Sequence, residues 1–397
     1  MFMHSIKLEN ILSFGPDAQE LELKPLNVLI GPNGSGKSNL IEVMGLLRAA
    51  PSDVLAPIRD GGGSENWIWR GEPKATEARV EVCFRELLYP LKEKQPLRYS
   101  VAFGEFTFGA PLLREEIGEE KSVRQGEGDA EHYLRRNGGN VVLSYRDEGG
   151  ERGQRELPAS EIKRGQSVLS QLKDPFQYPE LTRIGLEFGE IRLYREWSFG
   201  RNTPPRLTQQ ADLPNDSLAE DARNLGMVLN RIDGNSKSKK QLLAALSKLY
   251  QGIDDYYVQV EAGSVQVFLK EGNVSIPAVR LSDGTLRYLC LLAILCNPSL
   301  PPLVCLEEPE LGLHPDVLPG LADLLREASE RCQLIVTTHS DTLVDALTDT
   351  PESIVVCEKE NGQTRLKRLD GKELSHWLEK YRLGELWTSG ELGGNRW

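Results

Sequence analysis

Four short apolar runs punctuate the chain: Val28-Leu29-Ile30, Leu303 to Leu306, Leu334-Ile335-Val336 and Ile354-Val355-Val356. They are continuous rather than alternating, which predicts strands covered on both faces, as in a parallel sheet. Residues 4–23 read as two short strands around a turn at Gly15-Pro16. From Arg79 the pattern changes to alternation, predicting strands over 79–86, 97–108, 140–146 and 183–195. Residues 114–131 are charged and poor in apolar side chains, so an excursion from the core is expected there. Helical periodicity resumes at 217, where Leu218, Ala222, Leu225, Leu229 and Ile232 form one stripe with Asp216 or Ser217 as its cap. A second helix is predicted over 238–250, and a hairpin over 256–270 turning at Ala262-Gly263. No heptad pattern persists for three repeats, so a long coiled coil is not expected.

From Pro277 onward the chain returns to the strand and helix alternation with which it began. The expected organisation is an α/β head split into residues 1–78 and 277–397, interrupted by a mixed β and α insert over 79–276. With 397 residues, 39% hydrophobic and 27% charged, there is ample material for a core. The net charge of −12 speaks against a broadly basic nucleic-acid surface, although a local patch is compatible with it. No stretch reaches 18 uninterrupted apolar residues and the first ten lack a signal-peptide core, so no membrane partner and a cytoplasmic protein are expected. The six cysteines include no C-x-x-C pair, which predicts reduced, buried thiols and no zinc site.

The first apolar run leads directly into chemistry. Gly31-Pro32-Asn33-Gly34-Ser35-Gly36-Lys37-Ser38 follows it, and an apolar-periodic segment continues through Leu47. Strand, glycine-rich turn and helix with the G-x-x-x-x-G-K-[ST] spacing form a phosphate cradle. The glycines admit backbone conformations closed to other residues, so successive N–H groups can face one anion. The helix then directs its positive end at that anion. Asn33 to Asn39 are the expected phosphate-binding residues: Asn33, Gly34, Ser35, Gly36, Lys37, Ser38 and Asn39. Lys37 can reach the β- and γ-phosphates of ATP, and the Ser38 hydroxyl can ligate Mg²⁺.

Hydrolysis also needs acids, and the run Leu303-Val304-Cys305-Leu306 ends in Glu307-Glu308. Carboxylates at the carboxyl end of a buried strand stand where open α/β sheets bind ligands. Glu307 is expected to hold the metal and Glu308 to polarise the attacking water. A charged strand terminus at the surface is the plainer alternative, and Lys37 upstream favours the functional one.

The order of motifs resembles the ABC-type ATPases, specifically the RecF/SMC-like branch of compact predicted ATPases without a long coiled coil. Leu281-Ser282-Asp283-Gly284-Thr285 resembles the L-S-G-G-Q signature, and Glu307-Glu308-Pro309-Glu310 the Walker B end with its catalytic glutamate. Gly312-Leu313-His314-Pro315 resembles the D-loop, and Thr337-Thr338-His339-Ser340 the switch histidine. The resemblance implies a P-loop head of the ABC/RecF-like fold. It implies that Ser282 and the Gly284 N–H contact the γ-phosphate held by a second copy, so that ATP glues a head-to-tail homodimer, and that His339 senses the γ-phosphate. Two departures stand out. Glu307 replaces the usual aspartate, and Asp283 replaces the first glycine of the signature, fitting only if its side chain turns away. No glutamine loop is evident; residues 60–71 or a glutamine in the insert both remain open.

The function implied is that of an ATPase acting on DNA in genome maintenance or phage defence, or controlling a partner effector or nuclease. The rival is an ATP-switched module with negligible turnover that presents the insert to a protein partner. A transporter ATPase is disfavoured because residues 79–270 far exceed the helical subdomain such proteins insert. A built-in nuclease is also not expected, since Glu358 lacks a following D-x-D.

Overall fold

A computed structural model describes residues 2–17, 19–85, 96–105, 113–119, 131–158, 160–163, 165–250 and 252–394. Its central sheet has six strands in the order Arg192–Tyr194, Leu303–Glu307, Gln333–Thr337, Leu26–Ile30, Ile354–Glu360 and Gln363–Arg368. The first five are parallel and the last is the antiparallel hairpin partner of Ile354–Glu360. The four inner strands are the four apolar runs. Their alternate residues feed two separate cores, Leu29, Cys305, Ile335 and Val355 on one face, Val28, Val304, Val336 and Val356 on the other. Burial on both faces is why these strands read as unbroken runs.

The first core packs Leu40, Val43, Met44 and Leu47 of the helix Lys37–Ala49. Beyond that helix lies an eight-stranded antiparallel sheet, ordered Glu20–Glu22, Ser5–Glu9, Glu77–Phe84, Leu97–Gly104, Leu113–Glu119, His132–Asn137, Asn140–Arg146 and Arg152–Leu157. The second core packs the helix Asp283–Leu295, together with Leu225–Asp233 and Leu318–Ser329. A smaller sheet around the hairpin Ile253–Glu261 and Ser264–Glu271 completes that side. The helix that follows the P-loop and the helix that follows the signature therefore sit on opposite faces of the central sheet.

Several sequence expectations need correction. The boundary at 78/79 falls inside the strand Glu77–Phe84, which pairs with the N-terminal strand Ser5–Glu9. Residues 183–195 are not one strand: Pro179–Gly189 is a helix, and only Arg192–Tyr194 is a strand, joined to the central sheet through Leu303–Glu307. The insert thus shares hydrogen-bonded sheets with the head on both sides. The helix expected from 217 begins at Leu225, because Ala222 holds a left-handed backbone (φ 56°) that no helix can run through. Leu218 and Ala222 are buried in turns instead.

The charged run at 114 is also not an excursion at its start. Leu113–Glu119 is an inner strand of the antiparallel sheet, with Leu113 and Ile117 buried. Glu115, 2% exposed, accepts hydrogen bonds from Ser167 Oγ (2.5 Å), the Val168 N–H (2.9 Å) and the Tyr99 hydroxyl (3.2 Å), and pairs with Arg136 at 3.1 Å. A carboxylate so fully partnered can lie within a sheet despite its charge. The remainder of the predicted excursion, 120–130, lies outside the described residues.

All six cysteines are buried. Among the described residues no helix is long and apolar enough to cross a membrane.

Candidate active site

The site is built at the carboxyl ends of four adjacent parallel strands, which deliver Arg195, Glu307-Glu308, Thr338-His339 and the P-loop. In the P-loop two glycines are required twice over. Gly31 (φ 144°) and Gly36 (φ 101°) have left-handed backbones, and a Cβ on either would stand 2.2 Å from Cys357 O or Thr364 Oγ1. The loop encloses the Lys37 ammonium, which donates to Gly31 O at 2.8 Å and Pro32 O at 2.9 Å. Burial pushes Lys37 below its ordinary value, with Glu308, Glu307 and Glu310 pulling the other way.

The helix Lys37–Ala49 has no side-chain cap and no acidic residue in its first turn, so its leading N–H groups are open to an anion. Beside them the Ser35 hydroxyl is buried and has no hydrogen-bond partner among the described residues, whereas Asn33 and Gly34 are exposed. Open amides, an unpartnered buried hydroxyl and a buried ammonium are the donor set a polyphosphate needs. The Asn39 side-chain amide donates to Ser13 Oγ at 2.7 Å, tying the helix to the N-terminal loop.

A cavity of about 440 Å³ opens next to this loop, lined among others by Ser38, Arg195, Trp197, Arg287, Glu307 and Glu308. Ser38 and Glu307, the expected metal ligands, therefore face one space. Glu308 carries a left-handed backbone (φ 44°), costly for a side chain of its size. That conformation is held by its N–H, which donates to Thr337 O (3.1 Å) and Thr337 Oγ1 (3.2 Å). Its carboxylate stands 3.4 Å from His339 Nε2. The loop bearing His339 is fixed in turn by Glu310, which accepts from Thr338 Oγ1 (2.6 Å) and the His339 N–H (2.8 Å). Burial raises the Glu310 carboxyl, and those hydrogen bonds oppose the rise.

Ser282 and Gly284 are placed elsewhere. Ser282 is exposed and caps the helix Asp283–Leu295, its Oγ accepting from the Thr285 N–H at 3.1 Å. Gly284 packs so tightly that a Cβ would lie 2.6 Å from Gly312 O of the D-loop segment. His314 is exposed, with Nδ1 accepting from the Asp316 N–H at 3.3 Å, a local turn bond.

Three residues escaped sequence reasoning. Arg206 resolves the problem of the signature's extra charge by pairing with Asp283. It is itself locked by Leu281 O (2.6 Å), Phe199 O (2.7 Å) and Ala278 O (3.3 Å). Arg195, at the end of the short edge strand, donates from Nε to Glu307 at 2.8 Å and from Nη2 to Glu42 at 3.4 Å. Burial works against its charge, but Glu307 and Glu42 outweigh it and hold the guanidinium above its ordinary value. Arg287 reaches the cavity from the signature helix, donating to Trp197 O at 3.2 Å. None of the three stands in a spacing pattern that a single sequence would reveal.

Fold and site together define a P-loop ATPase head of the ABC/SMC type. The chain belongs to the family described as "AAA domain, putative AbiEii toxin, Type IV TA system", which it matches over residues 26–345. Its fold is similar to that of an Smc head solved with the C-terminal winged-helix domain of ScpA (TM-score 0.58, 15% identity, 94% of this chain and 99% of that one). It is also similar to the Smc head of Pyrococcus furiosus bearing an extended coiled coil and bound to the C-terminal domain of ScpA (TM-score 0.56, 15% identity, 96% and 99%). Among curated protein sequences none matches.

Proposed function

We propose that this chain binds ATP with Mg²⁺ and hydrolyses it between two copies arranged head to tail. The observation that carries the reading is the pairing of Glu308 with His339 beside Ser38 and Glu307, at the mouth of the lysine-bearing loop. In this assignment Lys37 and the amides of Asn33 to Asn39 hold the phosphates, and Ser38 and Glu307 hold the metal, which screens phosphate charge when bound. Glu308 orients and deprotonates water, while His339 steadies that carboxylate and reads the γ-phosphate. Ser282 and the Gly284 N–H close the site from the second copy. The placement of the two helices on opposite faces of the sheet supports action in trans.

Dimer closure on ATP and opening on hydrolysis would act on DNA in genome maintenance or phage defence, through a partner effector carried by the head. The Smc heads solved with ScpA support a partner-bearing reading.

Glu308→Gln tests the assignment. The variant is expected to retain ATP binding, lose turnover by about 100-fold or more, and accumulate an ATP-dependent dimer on size-exclusion chromatography. Wild-type turnover in this variant would remove Glu308 from the role of base.

A further inference from the structure

Arg195 is the best-placed cation in the molecule that the assigned chemistry leaves without a task. Its Nε holds Glu307 at 2.8 Å, and its Nη2 holds Glu42, on the helix that follows the P-loop, at the longer distance of 3.4 Å. Arg195, Ser38 and Glu307 line one cavity, so the guanidinium contacts the carboxylate assigned to the metal. Glu307 and Glu308 line that cavity and Glu42 lines the adjoining one, so without Arg195 three carboxylates would gather beside an incoming polyphosphate, a repulsive arrangement. A guanidinium neutralises carboxylates in a fork geometry but donates only, and has no lone pair for a metal. Arg195 and a divalent ion therefore compete for Glu307 rather than share it. The next residue, Glu196, holds a left-handed backbone (φ 35°), which directs the chain sharply away just after the arginine.

We infer that Arg195 is a built-in counter-cation of the metal site: it occupies Glu307 before nucleotide arrives, and swings onto Glu42 when Mg²⁺ enters with the phosphates. Glu42 is the resting place that makes the exchange reversible. The device lets the empty site stay electrically balanced, and it sets the Mg²⁺ concentration at which nucleotide is retained. Arg195 is thus a positioning residue, acting through Glu307. The inference rests on the proposed nucleotide site.

The test is calorimetric titration of the intact chain with the non-hydrolysable analogue AMP-PNP over a range of free Mg²⁺. Arg195→Ala removes the competitor, so the Mg²⁺ needed for half-maximal binding should fall about five-fold or more, within the usual range of coupling between sites. Binding in EDTA should weaken by a similar factor, because three carboxylates are then left unbalanced. Glu42→Gln removes the resting place and should shift the Mg²⁺ requirement in the opposite direction, upward. Arg195→Lys keeps the charge and should stay close to wild type. A salt bridge of purely structural importance would move the melting temperature and leave the Mg²⁺ requirement alone. The inference is overturned if Arg195→Ala or Glu42→Gln binds AMP-PNP with the wild-type Mg²⁺ dependence. Failure of the wild-type chain to bind AMP-PNP at any Mg²⁺ would instead overturn the nucleotide site itself.

Discussion

Two helices of this head begin at candidate phosphate-contacting residues, and their first turns are finished differently. The helix Lys37–Ala49 starts uncapped, without an acidic residue, beneath a loop whose backbone carbonyls hold the buried ammonium. The helix Asp283–Leu295 starts capped by Ser282, carries Asp283 in its first turn, and has that charge cancelled by Arg206. An open N-terminus attracts an anion without help; a capped and charge-balanced one contributes little until something else has brought the anion close. The difference gives an order of events. In the proposed function, nucleotide would enter first at the P-loop, and the signature would engage only as part of a second copy.

The largest effect expected from this contrast is at Lys37. Lys37→Ala should lower ATP affinity about 100-fold, the loss of two charge-assisted contacts, as read by calorimetry. Retained tight binding would mean that the open helix end alone suffices.

Ser282→Arg should leave ATP affinity close to wild type and abolish turnover. Mixing it with Lys37→Ala sharpens the comparison, because a heterodimer rebuilds one complete site. With random exchange and independent sites roughly a quarter of wild-type activity should return. No recovery, with heterodimers demonstrated by tag pull-down, would leave obligate coupling of the two sites or a signature acting within its own chain.

Arg206→Ala should come next. It strips the compensation from Asp283 and frees the four backbone carbonyls of Phe199, Ala278, Val279 and Leu281, so turnover should drop about ten-fold while nucleotide binding is spared. Adding Asp283→Asn should restore part of the loss. If the double variant is no better than the single one, Arg206 acts by bracing the loop and not by balancing its charge.

The smallest effect is at Glu310. Burial raises its carboxyl, so deprotonation costs the folded state. That cost is absent below the ordinary glutamate range and complete once pH exceeds the raised value. Glu310→Gln keeps an acceptor for Thr338 and His339 but carries no charge. Its melting temperature should therefore gain on wild type by about 2 °C at pH 8 and by nothing at pH 4. Equal shifts at both pH values would exclude the carboxylate charge as the cause.

How far the sequence speaks for itself follows from burial. The central strands were legible because both of their faces are covered, which leaves no polar position to interrupt Val28-Leu29-Ile30 or Val304-Cys305-Leu306. The strand, turn and helix around Gly31 to Ser38 were legible as a local pattern because the glycine spacing marks the turn between an apolar run and a periodic one. The bounds of Arg192–Tyr194 were not, since a three-residue strand that starts with arginine has no period to set it apart from the helix before it within the expected 183–195 strand. Leu113–Glu119 was hidden for a related reason: Glu115 looks like surface until Arg136, Ser167 and Tyr99 are known to surround it. The stripe from Leu218 to Ile232 misled in the opposite sense, because buried turns can match a helical period by coincidence. Arg195 lies in irregular chain and Arg206 ends the single 3-10 turn Pro204–Arg206, and their importance comes from partners about 80 to 110 residues away in the sequence.

The six buried cysteines give the protein an unreactive surface. Burial raises the thiols of Cys290 and Cys305 well beyond the physiological range, and those of Cys296, Cys332 and Cys357 to about 12. Little thiolate exists at these five, and all six side chains are buried. Alkylation can therefore proceed only through opening of the structure, and its rate at each position clocks a different part. Cys357 lies against the P-loop, Cys305 on the strand leading to Glu307-Glu308, Cys290 and Cys296 along and at the end of the signature helix, and Cys83 in the antiparallel sheet. A cysteine introduced at exposed Asn33 or Ser282 would label at once against this silent background. The wild-type chain is already a set of internal timers for the opening of each region, with and without nucleotide.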